Sequence, residues 1–187
     1  MVMPAVSPVT TIEELLALPE DGQRHELLDG VHVVTPSPAY RHQDVLSRMM
    51  SALLRAVDPH PGLRVLTSPA DIVLGPRTLV QPDLFVVRID PEHPPVEWTD
   101  VGRPLLAVEI LSPSTAARDR GAKRRIYQAA GVAEYWIVDL DARLIERWTP
   151  GDTRPEILTD GVVWEPEAGV RVEVGVGGVF GGVWERL

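Results

Sequence analysis

The chain has no cysteine, which removes disulfides, thiolate metal sites and cysteine nucleophiles together. It has one lysine, Lys123, among 18 Lys and Arg residues. Positive charge is scarce overall: 27 Asp and Glu leave a formal net charge of -9. That balance argues against general affinity for a phosphate backbone, which depends on Lys and Arg displacing counterions. A local excess at Arg118, Arg120, Lys123, Arg124 and Arg125, interrupted only by Asp119, answers the objection in part. No apolar run is long enough to span a bilayer, and Met1-Val2-Met3-Pro4-Ala5 lacks the basic and apolar regions of a signal peptide. The expectation is a soluble cytoplasmic protein without a membrane partner.

What is present suits a globular fold. Apolar residues make up 44% of 187 positions, enough for one core, and no repeat or low-complexity tract divides them. The chain is expected to be a single domain over 1–187, with an N-terminal arm at 1–10 and a Gly-rich β extension at 150–187.

Thr11-Ile12-Glu13-Glu14 is a capping box that predicts a short helix ending at Pro19. Arg24 to Leu28 and Val31 to Val34 flank Asp29-Gly30, the dipeptide of a two-residue hairpin, and Glu26 shares a strand side with Leu28. Apolar positions from Val45 to Val57 recur at three and four, predicting a helix over 40–57. His42 and Gln43 fall in its first turn, where a histidine is more often solvated than chemical. Short β segments follow up to Asp83, whose strand begins after Pro82. A Pro-rich loop spans Arg88 to Arg103, and long ordered loops are often lids or plain surface excursions. Pro104 to Leu111 reads as a central strand covered on both faces, with Glu109 its only charge. Ser114 or Thr115 is placed to cap a helix running to Ala130 and stopping at Gly131, with Asp119, Lys123 and Tyr127 on one stripe. Glu134 to Asp139 and Leu144 to Trp148 predict a second hairpin, and the tail from Pro155 promises little chemistry.

Two acids each embedded in an apolar strand are the anomaly, because buried carboxylates require a partner, a proton or a metal. Carboxylates converging from neighbouring strands make a hard oxygen site for Mg²⁺ or Mn²⁺, and a nearby ammonium steadies or deprotonates an attacking water. Asp83, Glu109 and Lys123 fit those roles. A surface cation could have been arginine, as it is everywhere else in the chain, whereas arginine does not supply a compact ammonium with a movable pKa. The plainer reading of Lys123 is an exposed helix pair with Asp119.

The segments Gln81-Pro82-Asp83-Leu84, Val108-Glu109-Ile110-Leu111-Ser112-Pro113-Ser114-Thr115, Asp119 with Lys123 and Tyr127, and Gly131 to Asp139 resemble the Uma-type restriction endonuclease family. With Glu26-Leu27-Leu28-Asp29-Gly30 and His42-Gln43, the resemblance extends to about Trp148. That family lies within the PD-(D/E)XK nuclease superfamily. The resemblance implies an α/β, restriction-endonuclease-like core: a central mixed β-sheet flanked by helices, here with extra β-hairpins. It also implies a metal-dependent endonuclease acting on nucleic acid, DNA above all. Asp83 and Glu109 would be metal ligands, Glu26 a further ligand or auxiliary carboxylate, and His42 and Gln43 auxiliary residues. The superfamily's lysine stands two residues after the glutamate; that position is Leu111, and Lys123 resembles its migrated replacement. The alternative is a catalytically silent nucleic-acid-binding or protein-interaction module, which the net acidity favours. A carboxylate-pair glycosidase has no special use for Lys123. Apolar positions left over from the core would serve a homodimer.

Overall fold

The computed structural model describes residues 9–181. The expected N-terminal arm, apart from Val9 and Thr10, and the end of the tail at 182–187 lie outside the described residues. The capping box closes on helix α1, Ile12–Leu16, with Thr11 accepting from the Glu14 N–H. Strands β1, Arg24–Leu28, and β2, Val31–Thr35, form the Asp29-Gly30 hairpin. Both turn residues have positive φ, 51° and 84°, as a tight right-twisted turn demands. Helix α2, Tyr40–Val57, buries Val45, Met49, Leu53 and Val57 on one face. Strands β3, Leu63–Thr67, β4, Ile72–Gly75, and β5, Thr78–Val80, lead into β6, Leu84–Arg88. Beyond the Pro-rich loop, with its 3-10 turn at Trp98–Asp100, lies β7, Leu106–Ile110, buried at every position.

The helix expected from Thr115 to Ala130 is not uniform. Helix α3, Ala116–Arg118, passes into a π-helical turn, Asp119–Lys123, and then into α4, Arg124–Ala129. The wider turn carries Gly121, which faces open space, while Asp119 and Lys123 both point inward. Such insertions are rare and concentrate at functional sites. The expected side-chain cap is also absent: the Thr115 hydroxyl lies 3.1 Å from Ser112 Oγ and caps no helix N–H. Gly131 does end the helix, at φ 69°.

Strands β8, Glu134–Asp139, β9, Leu144–Trp148, and β10, Glu156–Leu158, complete a six-stranded sheet of order β10-β9-β8-β7-β6-β3. Within it β7 and β8 run parallel, joined by the α3–α4 crossover, and the other pairs are antiparallel, so the sheet is mixed. Strands β2-β1-β5-β4 make a second sheet. The tail is more than a string of β pieces: β11, Gly161–Glu167, and β12, Val170–Gly175, pair as a hairpin before helix α5, Val176–Phe180.

Alternation along the central strands sorts two cores. One face of the six-stranded sheet sends Leu84, Val86, Leu106, Val108, Ile110 and Trp136 towards α2, the β11–β12 hairpin and α5. The other face sends Phe85, Val87, Ala107, Tyr135 and Ile137 towards the four-stranded sheet and the α3–α4 crossover. Asp83 and Glu109 belong to this second layer.

Candidate active site

Asp83 immediately precedes β6, and the Leu84–Val108 register sets it beside the end of β7. Its Oδ2 accepts the Ile110 N–H at 2.9 Å and lies 3.0 Å from His42 Nε2, while Oδ1 takes Arg24 Nη1 at 2.7 Å. Burial pushes the Asp83 carboxyl up, but the His42 hydrogen bond, the Arg24 charge and the Ile110 N–H outweigh it, so its pKa is lowered. This carboxylate is ionised and firmly held.

Glu109 sits deeper. Its Oε1 accepts from Tyr127 Oη at 3.1 Å and pairs with Lys123 Nζ. Lys123 Nζ also lies 2.8 Å from Glu26 Oε1, which takes the Gln81 N–H at 2.8 Å as well. The ammonium is thus enclosed between two acids, with 1% of Lys123 exposed. Burial opposes its charge, but Glu109, Glu26 and Asp119 prevail and raise its pKa. Lys123 therefore keeps its proton at neutral pH, which favours a charge-stabilising part over that of a base. Glu109 answers in the opposite sense to Asp83: burial raises its pKa well above the ordinary value, the Lys123 charge counteracts, and Asp83, Asp119 and Glu26 push it further up.

The structure thus brings together Glu26, Asp83, Glu109, Lys123 and His42. Gln43 stays apart, exposed on α2. His42 does not follow the expectation of a solvated first-turn residue: it is 6% exposed, with its Nε2 turned onto Asp83 Oδ2. Three neighbours were not assigned to the site from the sequence. Asp119 is 1% exposed rather than a surface partner of Lys123, and its Oδ1 has no hydrogen-bond partner. Its place on the Lys123–Tyr127 stripe was the available signal. Arg24 alternates with Glu26 on β1 and so shares its face. Arg118 gave no signal beyond its place in the basic run.

Arg24, His42, Asp83, Glu109, Arg118 and Asp119 line one cavity of about 190 Å³. Glu26 and Lys123 stand behind it, outside the lining. Among the described residues, no three His, Asp or Glu side chains are already arranged to hold a metal. The donor set nevertheless suits one. Asp83, Glu109 and Asp119 offer hard oxygens to the same space, and the buried Asp119 Oδ1, without a hydrogen-bond partner and 3.9 Å from Arg118 Nε, keeps lone pairs for a cation. Mg²⁺ is commonly held by one or two carboxylates, with water and substrate phosphate completing its shell, so a three-ligand cage is not required.

A mixed sheet carrying Asp and Glu on neighbouring strands, with a lysine delivered by the crossover helix, defines a restriction-endonuclease-like nuclease fold. The family model described as "Uma2: Putative restriction endonuclease" matches residues 12–176, and the chain belongs to that family. A crystal structure of a "putative nuclease belonging to DUF820" from Anabaena variabilis superimposes with a TM-score of 0.74, covering 91% of this chain and 97% of that one. At 20% identity the likeness establishes the shared fold. No curated protein matches the chain.

Proposed function

We propose that this protein is a Mg²⁺- or Mn²⁺-dependent endonuclease that hydrolyses phosphodiester bonds in DNA. Asp83 and Glu109 would hold the cation, which supplies a Lewis acid for the phosphoryl oxygen and lowers the pKa of water. Lys123, behind the cavity wall, would steady Glu109 as a ligand and add a fixed positive charge close to where negative charge develops in phosphoryl transfer. Glu26, expected as a third ligand, has Oε1 engaged by Lys123 and the Gln81 N–H, and we assign it the holding of that ammonium. His42 orients Asp83 from α2. The observation that carries the reading is the one lysine of the chain, enclosed between two acids next to the cavity. A structural core has little use for it, since the cost of desolvating such charges commonly cancels their attraction.

One observation favours the silent-module reading: both Asp83 oxygens are already engaged, by Arg24, His42 and Ile110. Cleavage of plasmid DNA with Mn²⁺ separates the two. The wild type should cut. Lys123→Arg should fold yet lose most activity, because a planar guanidinium does not fit the ammonium's position. Glu109→Ala should be inactive. An inactive wild type supports the silent module, and full activity of Lys123→Arg removes the lysine from the chemistry.

A further inference from the structure

The basic run of the crossover helix disperses on folding. Arg120 is engaged by Glu146 and Asp139, Lys123 by Glu26 and Glu109, and Arg124 lies over Trp148, 4.8 Å from the ring centre. Arg125 is exposed. Arg118 alone of the five lines the cavity beside the carboxylates. Its Nη2 donates to Thr35 Oγ1 at 2.8 Å, but its Nε is buried without an acceptor, and Asp119 Oδ1 at 3.9 Å is beyond hydrogen-bond reach. Across the same cavity Arg24 is in a similar state: Nη1 is on Asp83, while Nε is buried without an acceptor. Both Nε atoms are buried, yet each side chain keeps some exposure, 23% for Arg24 and 17% for Arg118, and both line the same cavity, so the guanidinium N–H groups not spent on Asp83 or Thr35 are available to an anion there. Ser112, Ser114 and Thr115 complete the lining with hydroxyls, hydrogen-bonded among themselves, which are weaker donors to an anion than guanidinium.

We propose that Arg118 and Arg24 form a phosphate-binding pair, receiving a backbone phosphate of the nucleic acid next to the Asp83–Glu109 carboxylates. The proposal rests on the nuclease reading and deepens it, by naming what holds the strand. Guanidinium suits the task, since it offers N–H groups in a plane that matches phosphate oxygens. It also gives an anionic substrate a local positive partner on an acidic protein, since two arginines line the cavity beside Asp83, Glu109 and Asp119.

The test is fluorescence anisotropy with a short labelled DNA duplex in EDTA, over a series of KCl concentrations, with melting temperatures as folding controls. Arg118→Gln should weaken binding by about tenfold and reduce the slope of log K against log salt by about one, as loss of a single phosphate contact requires. Arg125→Gln makes the same charge change on the same helix outside the cavity, and should leave affinity within about twofold. Arg118→Lys should retain the salt slope while losing affinity, and it serves as the deciding variant if glutamine unfolds the protein. A merely structural Arg118 would lower the melting temperature and leave both binding quantities unchanged, which overturns the proposal. So would equal effects of Arg118→Gln and Arg125→Gln. A wild type that binds the duplex neither in EDTA nor with Ca²⁺ added overturns the proposal together with DNA as substrate, whereas binding and cleavage untouched by Arg118→Gln overturn the phosphate pair alone.

Discussion

The two faces of the central sheet are made by the same strands and obey different rules. On β7, Leu106, Val108 and Ile110 point into an all-apolar layer closed by α2 and the β11–β12 hairpin. Between them Ala107 and Glu109 point the other way, and there the layer holds Glu26, Asp83, Asp119 and Lys123 as well. The residues of both layers are buried, although Asp83, Glu109 and Asp119 also line a cavity. They differ in what burial accomplishes. In the first layer it supplies stability through area removed from water. In the second it raises the pKa values of Glu109 and Asp119, and at Asp83 the same penalty is outweighed by the His42 and Ile110 hydrogen bonds and the Arg24 charge, which lower that pKa. Pairs of acids driven apart in this way are a mark of sites built for chemistry.

The comparison breaks most visibly if a cut in the apolar layer fails to hurt. Leu106, fully buried three residues before Glu109, is the place to try. Leu106→Ala should cost about 2–5 kcal/mol, the transfer loss plus a cavity the sheet does not close. Urea denaturation reads this directly, and cleavage per folded molecule should stay near the wild-type value. A loss below about 0.5 kcal/mol would mean that the β11–β12 layer collapses into the gap and is less rigid than it looks.

Glu109→Gln probes the charged face of the same strand, with a smaller effect of opposite sign. The amide keeps the shape, removes a desolvated charge crowded by Asp83, Asp119 and Glu26, and leaves Lys123 its pair with Glu26. The melting temperature should stay level or rise by a few degrees while cleavage disappears. This is the stability–function exchange expected when a site holds groups that folding alone would not choose. A drop as large as that of Leu106→Ala would make Glu109 a structural ion-pair member and place the two faces on equal terms.

How much of this contrast could be read from the sequence depends on its range along the chain. The hairpin at Asp29-Gly30, the α2 periodicity and the stop at Gly131 are local matters of backbone chemistry, legible in a few adjacent residues. So were the lone acids at Asp83 and Glu109, because an acid within an apolar strand is conspicuous. The π turn was not legible: Asp119 to Tyr127 reads as regular helix, and only packing against β7 and β8 decides that both Asp119 and Lys123 turn inward. Nor was the place of His42, since α2 gives no sign that its first turn meets Asp83. The tail misled for a related reason. Its glycines suggested an appendage, whereas Val162, Trp164, Val172 and Phe180 form part of the first core, at distances along the chain that periodicity does not sense.

The smallest expected effect lies inside the charged layer and concerns acid. Asp83 has its pKa lowered on folding, because its hydrogen bonds from His42 and Ile110 and its pairing with Arg24 outweigh burial. Between its folded value and the unfolded value near 4, the unfolded chain binds more protons than the folded one. Stability from Asp83 is therefore complete above about pH 4 and is lost as the pH falls through the folded pKa. Glu109 acts in reverse: its pKa is raised, so its contribution favours the folded state at low pH and is lost as the pH rises through the folded value. Urea denaturation at a series of acid pH values should then show two separable limbs. Asp83→Asn should flatten the loss on the acid side, and Glu109→Gln should flatten the decline above the ordinary carboxylate range of about 4.3. If both substitutions flatten the same limb, the two carboxylates share one environment, and the division between a firmly ionised Asp83 and a proton-prone Glu109 fails.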